Sequence, residues 1–216
     1  MKKLRDLFIE KDNYWLLENK EYLNEKFDEF SIYLSSCTDV RIHDTKFIDC
    51  RVGPGACAIS KNFRLENVWF SEFECGKAMH IDSEAFLDRV TIEGKSPSKI
   101  WVMRNDRESL KKLDYSKVEY ALNISNFLGE VSIAGIPSDK IIKNESLHII
   151  VKASWREDIK WGEIGISQTS MWKSYVRSVL SSGFDECIFS LPNSRSKYYK
   201  QTMDEMELIK SSGIIM

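Results

Sequence analysis

Along the middle of the chain, apolar residues recur in a short pattern: an apolar residue, two variable positions, Val or Leu, one variable position and a further apolar residue. Five copies are present: Cys37-x-x-Val40-x-Ile42, Leu65-x-x-Val68-x-Phe70, Leu87-x-x-Val90-x-Ile92, Leu110-x-x-Leu113-x-Tyr115 and Leu128-x-x-Val131-x-Ile133. Their central positions, Val40, Val68, Val90, Leu113 and Val131, follow one another at steps of 28, 22, 23 and 18. A second apolar row, Ile59, Ile81, Val102 and Ile124, steps by 22, 21 and 22. Alternation within Val68-Trp69-Phe70 or Val90-Thr91-Ile92 puts one side chain in and the next out, the period of a strand. A coil of about 22 residues carrying two short strands cannot close a core by itself, whereas stacked copies share one.

The pattern therefore predicts a mainly β chain whose residues 31–146 form a short parallel β-helix of about five coils. The turn-forming Val52-Gly-Pro-Gly55 is expected to absorb the extra residues of the longest step. A leucine-rich-repeat-like solenoid is the alternative, because its strand signature and period overlap this one. Its Asn or Cys ladder is missing: the third position beyond each strand is Thr45, Phe73, Lys95, Val118 and Ile136.

Before the repeats, Trp15, Leu16, Tyr22, Leu23, Phe27 and Phe30 have approximately helical spacing behind Asp12 and Asn13, which predicts an N-terminal helical cap over residues 1–30. After them, residues 147–216 read as a C-terminal α/β capping unit. Leu147 to Val151 and Cys187 to Leu191 are strand-like. Ser170 to Ser182 is helical before Gly183, and Ser194 to Ser212 is helical before Gly213.

Composition narrows function mainly by exclusion. Lys and Arg number 31 against 33 Asp and Glu, so no net field draws the chain to nucleic acid or to an anionic membrane. Glu10, Lys11 and Asp12 interrupt the N-terminal apolar run, and no 18-residue apolar window occurs, so a cytoplasmic protein is expected. The five cysteines lack CxxC spacing and are expected reduced and mostly buried. His43, His80 and His148 are too far apart for an H-E-x-x-H zinc site, no Gly-Lys-Ser or Gly-Lys-Thr follows Gly53-Pro-Gly55, and neither metal nor cofactor is expected.

Two polar clusters are candidates for chemistry. His43-Asp44 with Asp49 and Cys50 reads as an exposed turn beside a buried thiol rather than a nucleophile or metal site. The alternation His80-x-Asp82-x-Glu84 matches an acid/base pair, but equally any solvent-facing strand. Stacking the copies predicts one outward row, Arg41, Trp69, Thr91, Asp114 and Ser132, without paired carboxylates. Trp69 is an interface-type anchor, and with Arg41, Arg64 and Glu72, beside Glu66, it forms the candidate binding patch. Trp101, Trp155, Trp161 and Trp172 are expected in the core. No catalytic residue emerges.

The stretches Phe47 to Ala56, Leu65 to Phe70, Cys75 to Ala78 and Ile81 to Ala85 resemble a group of uncharacterised bacterial short β-solenoid proteins. The likeness extends to toxin-system immunity or accessory proteins. No functional residue carries over from it, and it is the short capped solenoid with no catalytic cluster that leads to the expectation of a non-enzymatic bacterial binding protein, an immunity-type protein that occludes a protein partner such as a toxin domain. The alternative function is a carbohydrate-active β-helix enzyme, a polysaccharide hydrolase or lyase.

Overall fold

The computed structural model describes residues 2–28, 30, 39–53, 57–76, 78–104 and 113–214. Cys37, Pro54, Gly55 and Leu110 of the expected repeat lie outside the described residues. The chain divides into two compact units, Met1–Asn144 and Glu145–Met216.

The first unit is a β-solenoid of about five turns. Its strands in chain order are β1 (Ile9–Glu10), β2 (Tyr14–Leu23), β3 (Lys26–Phe27), β4 (Asp39–Ile48), β5 (Arg51–Val52), β6 (Cys57–Ile59), β7 (Phe63–Ser71), β8 (Met79–Asp82), β9 (Phe86–Asp88), β10 (Val90–Glu93), β11 (Lys99–Met103), β12 (Leu122–Asn123), β13 (Glu130–Ala134) and β14 (Ile141–Ile142). Strands β2, β4, β7, β10, β12 and β14 pair in parallel in that order, and β9 also pairs with β7. Strands β6, β8, β11 and β13 form a second parallel row. Coils that carry strands on two sides are those of a β-helix, not of a leucine-rich horseshoe with one strand and a helix per repeat.

Left-handed residues set the corners. Asn19, Asp44, Asn67 and Arg89 all have φ between 49° and 54°, and they occupy equivalent positions in successive coils. Asn24, Asp49, Glu72 and Gly94 repeat the bend five positions later. Asn and Asp tolerate this backbone better than other side chains, because a short polar group can bond locally. Each bend also resets the alternation. Val40 and Ile42 point inward before Asp44, and Thr45 and Phe47 point inward after it.

These bends explain where the expected register fails. Val40 lies opposite Phe63, and it is Thr45 that lies opposite Val68. The true step, from Thr45 to Val68, is thus shorter than the one from Val40 to Val68. The next rungs place Phe70 opposite Ile92 and Val90 opposite Leu122, which lies opposite Ile141. Leu113 and Tyr115 lie in no strand. Val131 belongs to the other row, opposite Ile100, and Val102 lies opposite Ile133 rather than extending to Ile124. The long step falls between β10 and β12, where Val90 meets Leu122.

The expected N-terminal helix is also overturned. Residues Tyr14–Leu23 form β2, whose Leu17 and Tyr22 lie opposite Ile42 and Phe47. The phase change at Asn19 shifts the apolar positions from odd to even numbers, which imitates helical spacing. The first-coil edge is instead met by residues 2–10. Strand β1 pairs antiparallel with β2, and Lys2 bridges Phe27. Covering that edge removes a template for foreign strands.

Inside the coils, rows become stacks. Tyr22, Phe47 and Phe70 lie ring on ring, with centroids 5.3 and 5.2 Å apart and planes within 18°. Phe27, Phe30 and Phe73 meet them edge-on. Offset and edge-to-face pairs are the favoured aromatic contacts, and burying each Phe contributes roughly 1.5–3 kcal/mol. Thr45 enters this apolar interior only because its hydroxyl donates to the carbonyl of His43, 2.9 Å away.

The second unit is built differently. Its antiparallel strands β15 (His148–Lys152) and β16 (Glu186–Ser190) are accompanied by helices α1 (Trp155–Asp158), α2 (Met171–Ser182) and α3 (Tyr199–Ser211). Ser170 caps α2 by accepting from the Trp172 N–H at 3.1 Å, and Gly183 ends it at φ 78°. Trp172 is fully buried and donates to the Thr202 carbonyl at 3.0 Å. Buried Glu205 accepts from the Ser170 hydroxyl at 2.5 Å and from Gln201 at 3.0 Å, so its carboxylate is held by hydrogen bonds in an apolar setting. Helix α3 starts later than expected, because Asn193 turns the chain by accepting from the Arg195 and Ser196 N–H groups.

Candidate functional site

Outward positions of β2, β4, β7 and β9 form two rows on one face of the solenoid. In the first, Arg41 lies opposite Arg64, and Arg64 opposite Phe86. Each guanidinium is laid on an aromatic ring, Arg41 at 4.0 Å from the Tyr14 centroid and Arg64 at 4.1 Å from that of Phe86. Such cation–π contacts are worth about 0.5–1 kcal/mol at exposed sites. Tyr115, outside any strand, continues the line by stacking parallel to Phe86 at 5.8 Å. In the second row, Glu18, His43, Glu66 and Asp88 stand opposite one another in turn. Their acids are met by neighbours: Glu18 by His43 at 3.6 Å, Glu66 by Arg64, and Asp88 by Arg89 at 3.1 Å. Between the rows lies a shallow cleft of about 110 Å³, lined by Arg41, Ile42, His43, Arg64 and Glu66.

Trp69 lies past the corner at Asn67, opposite Lys46 and Thr91. It is 40% exposed, and the Lys46 ammonium sits 5.7 Å from its ring. Glu72 is at the following corner, and its carboxylate accepts from the Lys95 and Ser96 N–H groups at 3.0 and 3.2 Å. The structure thus brings Arg41, Arg64 and Glu66 together, sets Trp69 on the adjoining strip and ties Glu72 to the next coil. The expected single outward row breaks up accordingly. Arg41 and Trp69 are separated by a corner, Asp114 lies in no strand, and Ser132 lies opposite Trp101 in the other sheet row.

At the first corner, Asp44 accepts from the Asn67 amide at 2.6 Å, and this bond foremost, with His43 beside it, holds its carboxyl below the usual range. Neither candidate for chemistry is assembled as a reactive cluster. Cys50 points inward and donates its S–H to the carbonyls of Tyr22 and Ile48, with burial raising its pKa. Asp49 sits at a corner, and Asp82 is buried with an oxygen accepting from the Glu84 N–H at 2.9 Å. Burial also pushes the Cys57 thiol up, and that of Cys187 to about 11, which keeps these thiols protonated and poor nucleophiles at neutral pH. The four described cysteines are free and buried. Among the described residues, no three His, Cys, Asp or Glu are grouped to hold a metal, and no helix is long and apolar enough to cross a membrane.

One aromatic site escaped the sequence reading. Trp101, expected in the core, is half-buried in the outward row of β11, with His80 edge-on at 4.8 Å and the Lys99 ammonium 5.1 Å from its ring. The signal was its position between Ile100 and Val102, both inward. Trp161 is also half-buried, whereas Trp155 and Trp172 are in the core as expected.

Comparison with known proteins returns no match, neither to a protein-family model, nor to a curated protein, nor to a solved structure. The solenoid architecture implied by the resemblance stands on the coils themselves, while the kinship to bacterial immunity proteins finds no relative behind it.

Proposed function

We propose that the chain is a non-enzymatic binding protein that engages and occludes a protein partner through the face carrying Arg41 and Arg64 and the adjoining strip carrying Trp69. The observation that carries this reading is the row of two guanidinium groups, each stacked on an aromatic ring and mounted on stacked strands. Arg, Tyr and Trp are the side chains that most often dominate binding energy, and pre-ordering them lowers the entropy lost on association. A partner of the immunity type would be a toxin domain whose working surface this face covers. Glu66 and Asp88 each stand beside an arginine, and Glu18 beside the His43 ring, an arrangement that suits a binding surface better than general acid/base work.

The test compares the wild-type chain with the Arg41→Ala/Arg64→Ala/Trp69→Ala triple variant as immobilised baits in native cytosol, after circular dichroism shows equal folding. A protein retained by the wild type and reduced at least tenfold by the triple variant supports the reading. Retention of no protein, or turnover of a sugar polymer by the wild type, overturns it.

A further inference from the structure

The geometry points to the cleft between Arg41, His43 and Arg64 as a carboxylate-binding subsite, whose occupant is an acidic side chain of the protein partner. This assignment rests on reading the solenoid as a binding scaffold, and it specifies the chemistry of what is bound.

Three observations lead there. First, Arg41 and Arg64 stand opposite one another on neighbouring strands, which run roughly 4.8 Å apart, so two like charges share one cleft wall. A bound anion relieves that repulsion. Second, the faces of both guanidinium groups are occupied by Tyr14 and Phe86, while stacking leaves the in-plane N–H donors available for a carboxylate fork. Arg64 commits its Nε to Glu66, but no carboxylate among the described residues pairs with Arg41. Third, the cleft of about 110 Å³ holds a carboxylate with a few waters, whereas pockets for drug-sized ligands run to roughly 300–1,000 Å³.

The charge present selects among anions. Glu66 in the same wall offsets one of the two arginines, and the Glu18 and Asp44 carboxylates flank His43 at 3.6 and 3.5 Å, so the little positive charge that remains suits a monoanionic carboxylate better than a doubly charged phosphate. A lone exposed carboxylate–Arg pair is worth little in water, about 0–1 kcal/mol. Tight binding therefore requires that the carboxylate arrive on a larger body that also covers the rings and Trp69, and a free acidic peptide binds weakly.

The experiment titrates the full-length, ¹⁵N-labelled chain at low salt with capped hexaglutamate, capped hexaglutamine or inorganic phosphate, following the Nε–Hε signals of Arg41 and Arg64. Hexaglutamate is expected to move both signals saturably. Hexaglutamine should leave them in place, and phosphate should bind at least tenfold more weakly. In Arg41→Gln, followed through Arg64, hexaglutamate affinity should fall about three- to fivefold. Arg41→Lys, which keeps the charge without the fork, should recover only part of it. The amide spectrum serves as the folding check for both variants. An unsaturable response to hexaglutamate, equal affinity in Arg41→Gln, or phosphate binding as tight as hexaglutamate overturns the subsite. Should hexaglutamate fail while the triple variant still loses the retained partner, the subsite falls and the scaffold reading stands. Saturation by hexaglutamate with no partner retained removes the scaffold reading alone.

Discussion

The solenoid and the C-terminal unit bury their cores by opposite means. In Met1–Asn144, a residue's role is set by register: Phe47 and Phe70 are interchangeable members of one stack, and Asn19, Asp44 and Asn67 of one corner. In Glu145–Met216, roles are individual. Trp172 is held by one hydrogen bond to Thr202, and Glu205 gathers Ser170 and Gln201 around one carboxylate. Repetition lets the solenoid place side chains at a constant pitch on its outside, which is what a binding face needs. The described residues of the C-terminal unit form no such rows, and Ser170 and Glu205 bond to each other in its interior.

The largest expected effects test whether these cores are separate. Phe70→Ala should cost about 3–5 kcal/mol, as should Trp172→Ala. By hydrogen exchange, Phe70→Ala is expected to loosen β4, β7 and β10 while α2 stays protected, and Trp172→Ala to do the reverse. Loss of protection throughout the chain in both variants would break the comparison.

A smaller contrast concerns turns. At Gly94, φ is +91° and an added Cβ would lie 2.5–2.9 Å from the Glu72 carboxylate, which is itself anchored to the next coil. At Gly165, φ is +76° and nothing lies within 4 Å. Gly94→Ala should therefore destabilise by about 2–4 kcal/mol, combining backbone strain with the collision, and Gly165→Ala by about 1 kcal/mol from strain alone. Urea midpoints measure both, and equal losses would show that the corner at Glu72 yields freely.

The smallest effect is a gain. Arg89 occupies a left-handed corner that Asn or Asp fills in the preceding coils. Its pairing with Asp88 is largely surface-exposed on the Arg89 side, at 44%. Arg89→Asn should stabilise by about 0.5–1 kcal/mol, a rise in melting temperature of a few degrees at most. A fall would mean that Arg89 does more than turn the chain.

Much of the second unit was legible because its signals are local. A capping Ser170, the apolar stripe through Trp172 and Val176, and the terminating Gly183 act within one helix. The solenoid was legible as a kind of fold but not in register. Alternation and a nearly constant step announce stacked strands. Asp44 and Asn67 shift the inward phase by one position, so the pattern matches Val40 with Val68 although its neighbour is Phe63. Recurrence of Asn19, Asp44 and Asn67 at steps of 25 and 23, each between two apolar alternations, is the signal that corrects it. Of the candidate patch, the local pattern marks Arg41 and Arg64 as neighbours of inward apolar residues. The Tyr14 and Phe86 rings that orient them come from other coils and leave no mark in that pattern.

By itself, the amino-acid order determined that this chain stacks short strands into coils, that its described thiols are apolar interior groups, and that its charge is balanced. These follow from side-chain period, burial preference and composition, which are properties of neighbours along the chain. Only the tertiary structure decided which coil position faces which. That choice depends on left-handed bends whose effect is to change direction, and on pairing between strands a whole coil apart in the chain. It is this pairing that lays Arg41 on Tyr14 and Arg64 on Phe86, side by side over one cleft.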